Sequence, residues 1–174
     1  MDQIAEMWAG ALLDIALEDD ELKKTKDELE EVVSAFDDEV IAFFESHKIL
    51  KEDKKRVIKE LKVSQILQNF LCLLVDKGRM THIKAIAEHF RHLYNAHYDI
   101  KEVKIKSARK LDAALKEKLL EAIKKKEGKD IDLKEEIDER LISGVKIMMD
   151  DKVIDISMQK KIQNMRKALL EESW

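Results

Sequence analysis

Apolar positions recur at steps of three and four residues through the first hundred positions, the spacing that puts them on one face of a helix. Ile4, Trp8, Ala11, Leu12 and Ile15 make the stripe of a first helix. Leu22, Leu29, Val32, Val33 and Phe36 make that of a second, with Asp19 and Asp20 as its expected cap. A short third carries Val40, Ile41 and Phe44. A fourth carries Val57, Ile58 and Leu61, reached through the charged run Lys51-Glu52-Asp53-Lys54. Ser64 is the expected N-cap of a fifth helix, apolar nearly all round from Ile66 to Val75 and stopped by Lys77-Gly78, since glycine tolerates the left-handed position past a helix end. A sixth runs from Thr81 to Tyr98 with Ile83, Ile86, Ala87, Phe90, Tyr94 and His97 on one side. Six amphipathic helices with short connections predict a compact bundle.

The period then changes. Val103, Ile105 and Ser107 alternate with Glu102, Lys104 and Lys106, the two-residue repeat of a half-buried strand. A helix follows from Lys110 to Lys126, ending at Gly128. Ile131, Leu133 and Ile137 next alternate with charged residues, and so do Val145, Ile147 and Met149. Asp150-Asp151 turns the chain into Lys152-Val153-Ile154 as a hairpin. Ser157 caps a last helix with the stripe Met158, Ile162, Met165 and Leu169. The expected fold is mainly α: a six-helix bundle over residues 1–104, then a small α/β domain over 105–174 with a short sheet and a terminal helix. The joint falls near Asp99 to Ser107.

Composition supports long, uninterrupted helices, because proline is absent and only 4 of the 174 residues are glycine. With 45% hydrophobic and 40% charged residues, the chain can bury a core and must carry a charged surface. No apolar stretch approaches the roughly 20 residues of a membrane-spanning helix. The N-terminus is acidic and enters an amphipathic pattern at once, unlike a signal peptide. Membrane association is thus expected through partners, without direct insertion. Cys72, the 1 cysteine, sits in an apolar run and suits a reducing compartment. The net charge of −4 conceals a polarity, with Met1–His47 at −12, Lys48–Lys126 at +11 and the remainder at −3. Such asymmetry implies complementary partner surfaces or attraction between the segments themselves.

Neither a glycine-rich phosphate loop nor a nucleophile elbow nor a metal-ligand cluster is present, so no catalytic residue, cofactor or metal is expected. His89 and His92 share a helix face without the H-E-x-x-H pattern or a cysteine ligand, and read as surface residues. Lys124-Lys125-Lys126 closes a helix, where cations oppose the negative end of the helix dipole.

Two stretches carry a resemblance. Asn69-Phe70-Leu71-Cys72-Leu73-Leu74-Val75-Asp76-Lys77-Gly78-Arg79 resembles the N-F-L-x-L-L-x-x-x-G-R segment of ATP synthase delta subunits of the bacterial F-type enzyme. These in turn resemble the mitochondrial oligomycin-sensitivity-conferring protein. Leu141-Ile142-Ser143-Gly144-Val145, followed by Asp151-Lys152-Val153-Ile154-Asp155-Ile156-Ser157, resembles the family's L-I-G-G and G-D-x-V-I-D-G-S motifs before a last helix. Trp8-Ala9-Gly10-Ala11-Leu12 is similar to the family's opening Y-A-x-A-L. Four positions depart from the pattern: Trp8 for tyrosine, Ser143 for the first glycine, Asp150 for the turn glycine and Ile156 for the glycine of D-G-S. A β-branched residue is strained at positive φ. Either the last helix starts differently here, or that site does not require glycine.

The resemblance implies a non-catalytic subunit of the peripheral stalk, or stator, linking the catalytic head to the membrane sector during rotary ATP synthesis. It implies that the helical domain receives the N-terminal helices of alpha subunits and that the C-terminal domain meets the b-subunit stalk. The expected location is the cytoplasmic face of the bacterial plasma membrane, held there through the complex. An amphipathic alpha-subunit helix is expected in a groove between the first and fifth helices, against Trp8, Ala11, Leu12, Ile15, Phe70, Leu73 and Leu74. Trp8, Phe70 and Leu74 suit the bundle's own core equally well. Gly78 and Arg79 read as a helix stop and a solvated charge, and Gly144 as relief of crowding at a strand start. Two other function classes fit the same surfaces: a helical adaptor or scaffold of another assembly, and a nucleic-acid-binding protein using the basic middle segment. The second lacks any base-reading motif, so no nucleic acid is expected among the partners.

Overall fold

The computed structural model describes residues 3–138, 140–141, 143–149, 152–158, 160–162 and 165, with the side chains of 126 and 127 excepted. It forms two compact units, Met1–Tyr94 and Asn95–Trp174.

The first unit is helical. Its α-helices are α1 (Gln3–Glu18), α2 (Leu22–Ala35), α3 (Asp38–Glu45), α4 (Lys51–Glu60), α5 (Gln65–Lys77) and α6 (Ile83–His97), with a 3-10 turn at Met80–His82 leading into α6. Each of the six helices supplies the core, with Leu12 from α1, Leu29 from α2, Phe44 from α3, Ile58 from α4, Leu67, Leu71 and Leu74 from α5, and Ile83, Ile86 and Phe90 from α6, whereas Ile15 and Val57 of the expected stripes are exposed.

Chain ends and turns follow local chemistry. Ser64 Oγ accepts from the Leu67 N–H at 3.4 Å, and the Ser64 N–H donates to Glu28 of α2 at 2.9 Å, which ties two helices together. Gly78 takes the left-handed conformation at φ 63°, as its place after Lys77 predicts. The expected Asp19–Asp20 cap is different. Asp20 lies at φ 56° and the Glu21 N–H donates to Ala16 O at 3.0 Å, so these acids close α1 instead of opening α2. The run at Lys51 is likewise no connector but the first turn of α4. Its Lys54 is 6% exposed, and the ammonium donates to Phe44 O at 2.7 Å and Ser46 O at 2.8 Å, satisfying carbonyls at the end of α3.

The second unit holds a four-stranded sheet of β1 (Lys101–Ser107), β2 (Ile131–Ile137), β3 (Val145–Met149) and β4 (Lys152–Asp155), in the order β2-β1-β3-β4. The parallel pair β1–β2 needs a crossover, which α7 (Ala113–Glu127) supplies; β3 is antiparallel to both β1 and β4. Val103, Ile105 and Ser107 of β1 are buried as their alternation predicts, beside Ile147 and Met149 of β3 and Ile123 of α7. The opposite sheet face carries Lys104 and Lys106, both paired to Glu136 of β2, at 2.6 and 3.1 Å. The expected turn residues Asp150 and Asp151 lie outside the described residues, and the hairpin is fixed by the Met149–Lys152 pairing beside them.

The division at Tyr94/Asn95 comes before the 104/105 boundary read from the sequence. Asn95 is the reason. Its buried side-chain amide donates to Glu102 of β1 at 3.0 Å and Asp132 of β2 at 2.8 Å, and its carbonyl accepts from the Ile100 N–H. The last turn of α6 thereby belongs with the sheet.

Candidate functional site

α1 carries two kinds of apolar residue. Ala5, Ala9, Leu12 and Ala16 are buried and fix the helix in the bundle. Small side chains at three of these positions let α1 approach its neighbours closely. Trp8 sits at the edge of this face, half-buried, and its ring meets Phe70 of α5 edge-on with centroids 6.0 Å apart. Beyond the edge, Ala11 and Ile15 are exposed. α5 mirrors this arrangement: Leu67, Phe70, Leu71 and Leu74 point inward, Ile66 is half-buried and Leu73 is exposed.

The seven residues expected to hold a partner helix therefore separate. Leu12 and Leu74 are 0% exposed and Phe70 is 6% exposed, so these three belong to the core. A helix entering the bundle could not reach them without displacing their neighbours. Trp8, Ala11, Ile15 and Leu73 remain on the outer side, with Ile15 47% and Leu73 43% exposed. Uniform apolarity from Ile66 to Val75 hid this division, because a stripe that is apolar all round does not reveal which side faces inward. Ile4 and Ile66, each one turn before Trp8 and Phe70, extend the same surface, and their i−4 spacing was the available signal.

The remaining motif residues serve the fold locally. Asn69 is exposed and its side-chain oxygen accepts from Gln65 at 2.9 Å. The Arg79 N–H donates to Leu74 O at 2.8 Å, completing the helix stop begun at Gly78. Gly144 lies at φ 95°, and a β-carbon there would stand 2.5 Å from Ile156 O and 2.9 Å from Ser157 Cα. Only glycine lets the chain after β4 cross so closely. Ile156 N–H donates to Val145 O at 3.0 Å and Met158 N–H to Ser143 O at 2.9 Å, so the crossing is hydrogen-bonded on both sides of the glycine. Ile156 itself is not at positive φ, so in this chain the position holds a β-branched residue without backbone strain.

Asp155 accepts from the Ser157 N–H at 2.9 Å, and Ser157 Oγ accepts from the Lys160 N–H at 3.2 Å, the expected cap of the helical turn that follows. The Ser157 hydroxyl and then its N–H hold the Asp155 carboxyl below the usual carboxylate range. Val153 is exposed and Ile154 half-buried; Asp151 of the same motif is outside the described residues.

Exposed apolar residues beside a filled core are the feature of the helical unit that a partner chain could cover. The model described as ATP synthase delta (OSCP) subunit matches residues 4–169. ATP synthase subunit delta of Leptospira biflexa is 31% identical, over 99% of this chain and 95% of that protein. The subunit of Acetivibrio thermocellus is 33% identical over 98% and 99%. In fold, the chain matches one in the Toxoplasma gondii mitochondrial ATP synthase hexamer at TM-score 0.73 and 20% identity, covering 95% of this chain and 97% of that one.

The chain belongs to the ATP synthase delta (OSCP) subunit family. Its function is that of a non-catalytic subunit of the F-type ATP synthase, a structural part of the peripheral stalk whose partners are other subunits of the complex. No helix among the described residues is long and apolar enough to cross a membrane, and association with the membrane is through the complex.

Proposed function

We propose that the helical unit receives the N-terminal helix of an alpha subunit along the outer faces of α1 and α5, while the C-terminal unit meets the end of the b-subunit stalk. The chain then holds the catalytic head against the torque of the rotor, on the cytoplasmic face of the bacterial plasma membrane. The observation carrying this reading is the pair Ile15 and Leu73, exposed beyond the Trp8–Phe70 contact that joins α1 to α5. An amphipathic helix laid across them would remove apolar surface from water at roughly 25 cal/mol per Å², which gives affinity without chemistry. For the second contact, Met158, Ile162 and Met165 recur at helical spacing and are 48%, 52% and 60% exposed, a stripe suited to a stalk helix.

The test is binding of an alpha-subunit N-terminal peptide by calorimetry. Leu73→Asp, at an exposed position, is expected to leave the helical spectrum intact and weaken binding at least tenfold. Unchanged affinity in that folded variant would remove the reading. Leu12→Asp does not serve, because a charge at a fully buried position destabilises the unit it is meant to probe.

A further inference from the structure

The charges on α1 say what kind of helix this surface takes. Gln3–Glu18 contains no lysine or arginine, in a chain with 33 of them. Its acids are not evenly spread. Glu6 stands apart, whereas Asp14 and Glu18 follow Met7 and Ala11 at steps of three and four and so form one ridge beside Trp8 and Ile15. Met7 is 64% exposed, and Asp14 and Glu18 are exposed with no ion pair among the described residues. Asp19 and Asp20 continue the negative charge past the helix end, while Glu21 is paired to Lys24 at 2.9 Å. Negative groups at the C-terminal end of a helix also oppose its dipole, so Glu18 at this place costs the isolated chain some stability. On the α5 side, the basic residue of the last turn is Lys77.

We infer that the outer face of α1 selects an amphipathic helix bearing lysine or arginine along the flank that lies over Asp14 and Glu18. The inference rests on the proposed reading of α1 and α5 as a docking surface and specifies the chemistry of its occupant. Apolar contact with Ile15 and Leu73 supplies most of the affinity, and the acidic ridge sets the orientation, because a helix turned end for end would place its basic flank away from α1. Such selection by rim charges acts on association and specificity more than on total affinity. It weakens with salt, since exposed charges are screened over about 8 Å at physiological ionic strength.

The experiment uses the full chain and three helical peptides. Two are synthetic and share one leucine–isoleucine stripe, with a lysine flank in one and a glutamate flank in the other; the third is the alpha-subunit N-terminal segment. At low salt the lysine peptide is expected to bind about fivefold tighter than its glutamate counterpart, the scale of two exposed ion pairs. The advantage should shrink at high salt, vanish in Asp14→Asn/Glu18→Gln and reverse in Asp14→Lys/Glu18→Lys. Equal affinity of the two synthetic peptides, with Leu73→Asp still abolishing both, overturns the inference and leaves the docking surface standing. If Leu73→Asp changes the binding of none of the three, the docking surface falls and the inference with it.

Discussion

The two units are stabilised by different means. The helical unit fully buries large side chains on most of its helices, among them Leu12, Leu29, Ile58, Leu67, Leu71, Leu74, Ile83, Ile86 and Phe90. Its helices meet across long sequence separations, as Trp8 meets Phe70, and its core is filled without recruiting Ile15 or Leu73. In the sheet unit, a smaller core of Val103, Ile105, Ile123, Ile147 and Met149 is backed by an open face of ion pairs. There the fold hangs on backbone ladders and on one close crossing at Gly144. A unit with packing to spare can leave apolar surface outside for a partner. A unit with a small core places its demands on backbone geometry instead.

The largest effects should come from breaking each unit at its own kind of weak point. Leu12→Asp buries an unpaired charge among α1 neighbours at 0% exposure and is expected to cost about 4 kcal/mol or more in the helical unit. Leu73→Asp, on the outside of α5, should stay within about 0.5 kcal/mol of the parent. Urea melts followed by residue-resolved NMR would measure the pair, and equal costs would mean that the core and the strip are not separate.

In the sheet unit the corresponding change is smaller in volume. Gly144→Ala adds one methyl group, yet it meets both a positive φ and the Ile156 carbonyl, and a cost of about 3 kcal/mol is expected. Two controls sharpen this. Gly10→Ala, inside α1 with nothing within 4 Å of the new carbon, should stabilise the helical unit by about 0.5–1 kcal/mol. Ile156→Gly, which restores the family glycine, should stabilise nothing, because Ile156 is already in an ordinary conformation.

Lys54 shows a third kind of dependence, on satisfied carbonyls. Lys54→Met keeps the stem and removes the donor to Phe44 O and Ser46 O. About 2 kcal/mol should be lost, with the ends of α3 and α4 loosening first in hydrogen exchange. A neutral Lys54→Met would show that water replaces the ammonium at no cost.

How much of this was legible follows from where the information sits. Helical stripes and the β1 alternation are local periodicities, and they placed the core residues of α6 and of β1 correctly. Ser64 and Gly78 carry their conformational reasons in their own side chains and were read as cap and stop. What could not be read depends on neighbours distant in the chain. Lys54 looked like part of a solvated run, since nothing local says that Phe44 and Ser46 will offer carbonyls to it. Asn95 carries no local sign of its burial, because its partners Glu102 and Asp132 come from two strands. The apolar surplus on α5 was legible, and its inner and outer residues became distinct only when Trp8 met Phe70. The acids on α1 were visible as net charge from the start, but their ridge needed the helix phase that the buried Ala5, Ala9, Leu12 and Ala16 define.

The smallest expected effects are in pH, and they differ in sign between the units. Hydrogen bonds from Lys104 and Lys106 hold the Glu136 carboxyl below its usual range, and Ser157 does the same for Asp155. A carboxylate whose folded pKa is depressed contributes stability above its unfolded pKa and loses it as pH falls through the folded one. The sheet unit should therefore weaken from about pH 4 downward. In the helical unit, the Asp76 carboxylate raises Lys55, with which it pairs at 2.6 Å, and Glu21 raises Lys24. A lysine with a raised folded pKa contributes fully below its unfolded pKa and loses that contribution as pH climbs through the folded value. The helical unit should thus show an alkaline limb above about pH 10. Lys24 is exposed and Lys55, Glu136 and Asp155 are half-buried at the surface, so both limbs should be shallow and should flatten further in high salt. Glu136→Gln is expected to remove part of the acid limb of the sheet unit without touching the alkaline limb of the helical one. An unchanged acid limb in that variant would place the proton uptake elsewhere and break the contrast at its electrostatic end.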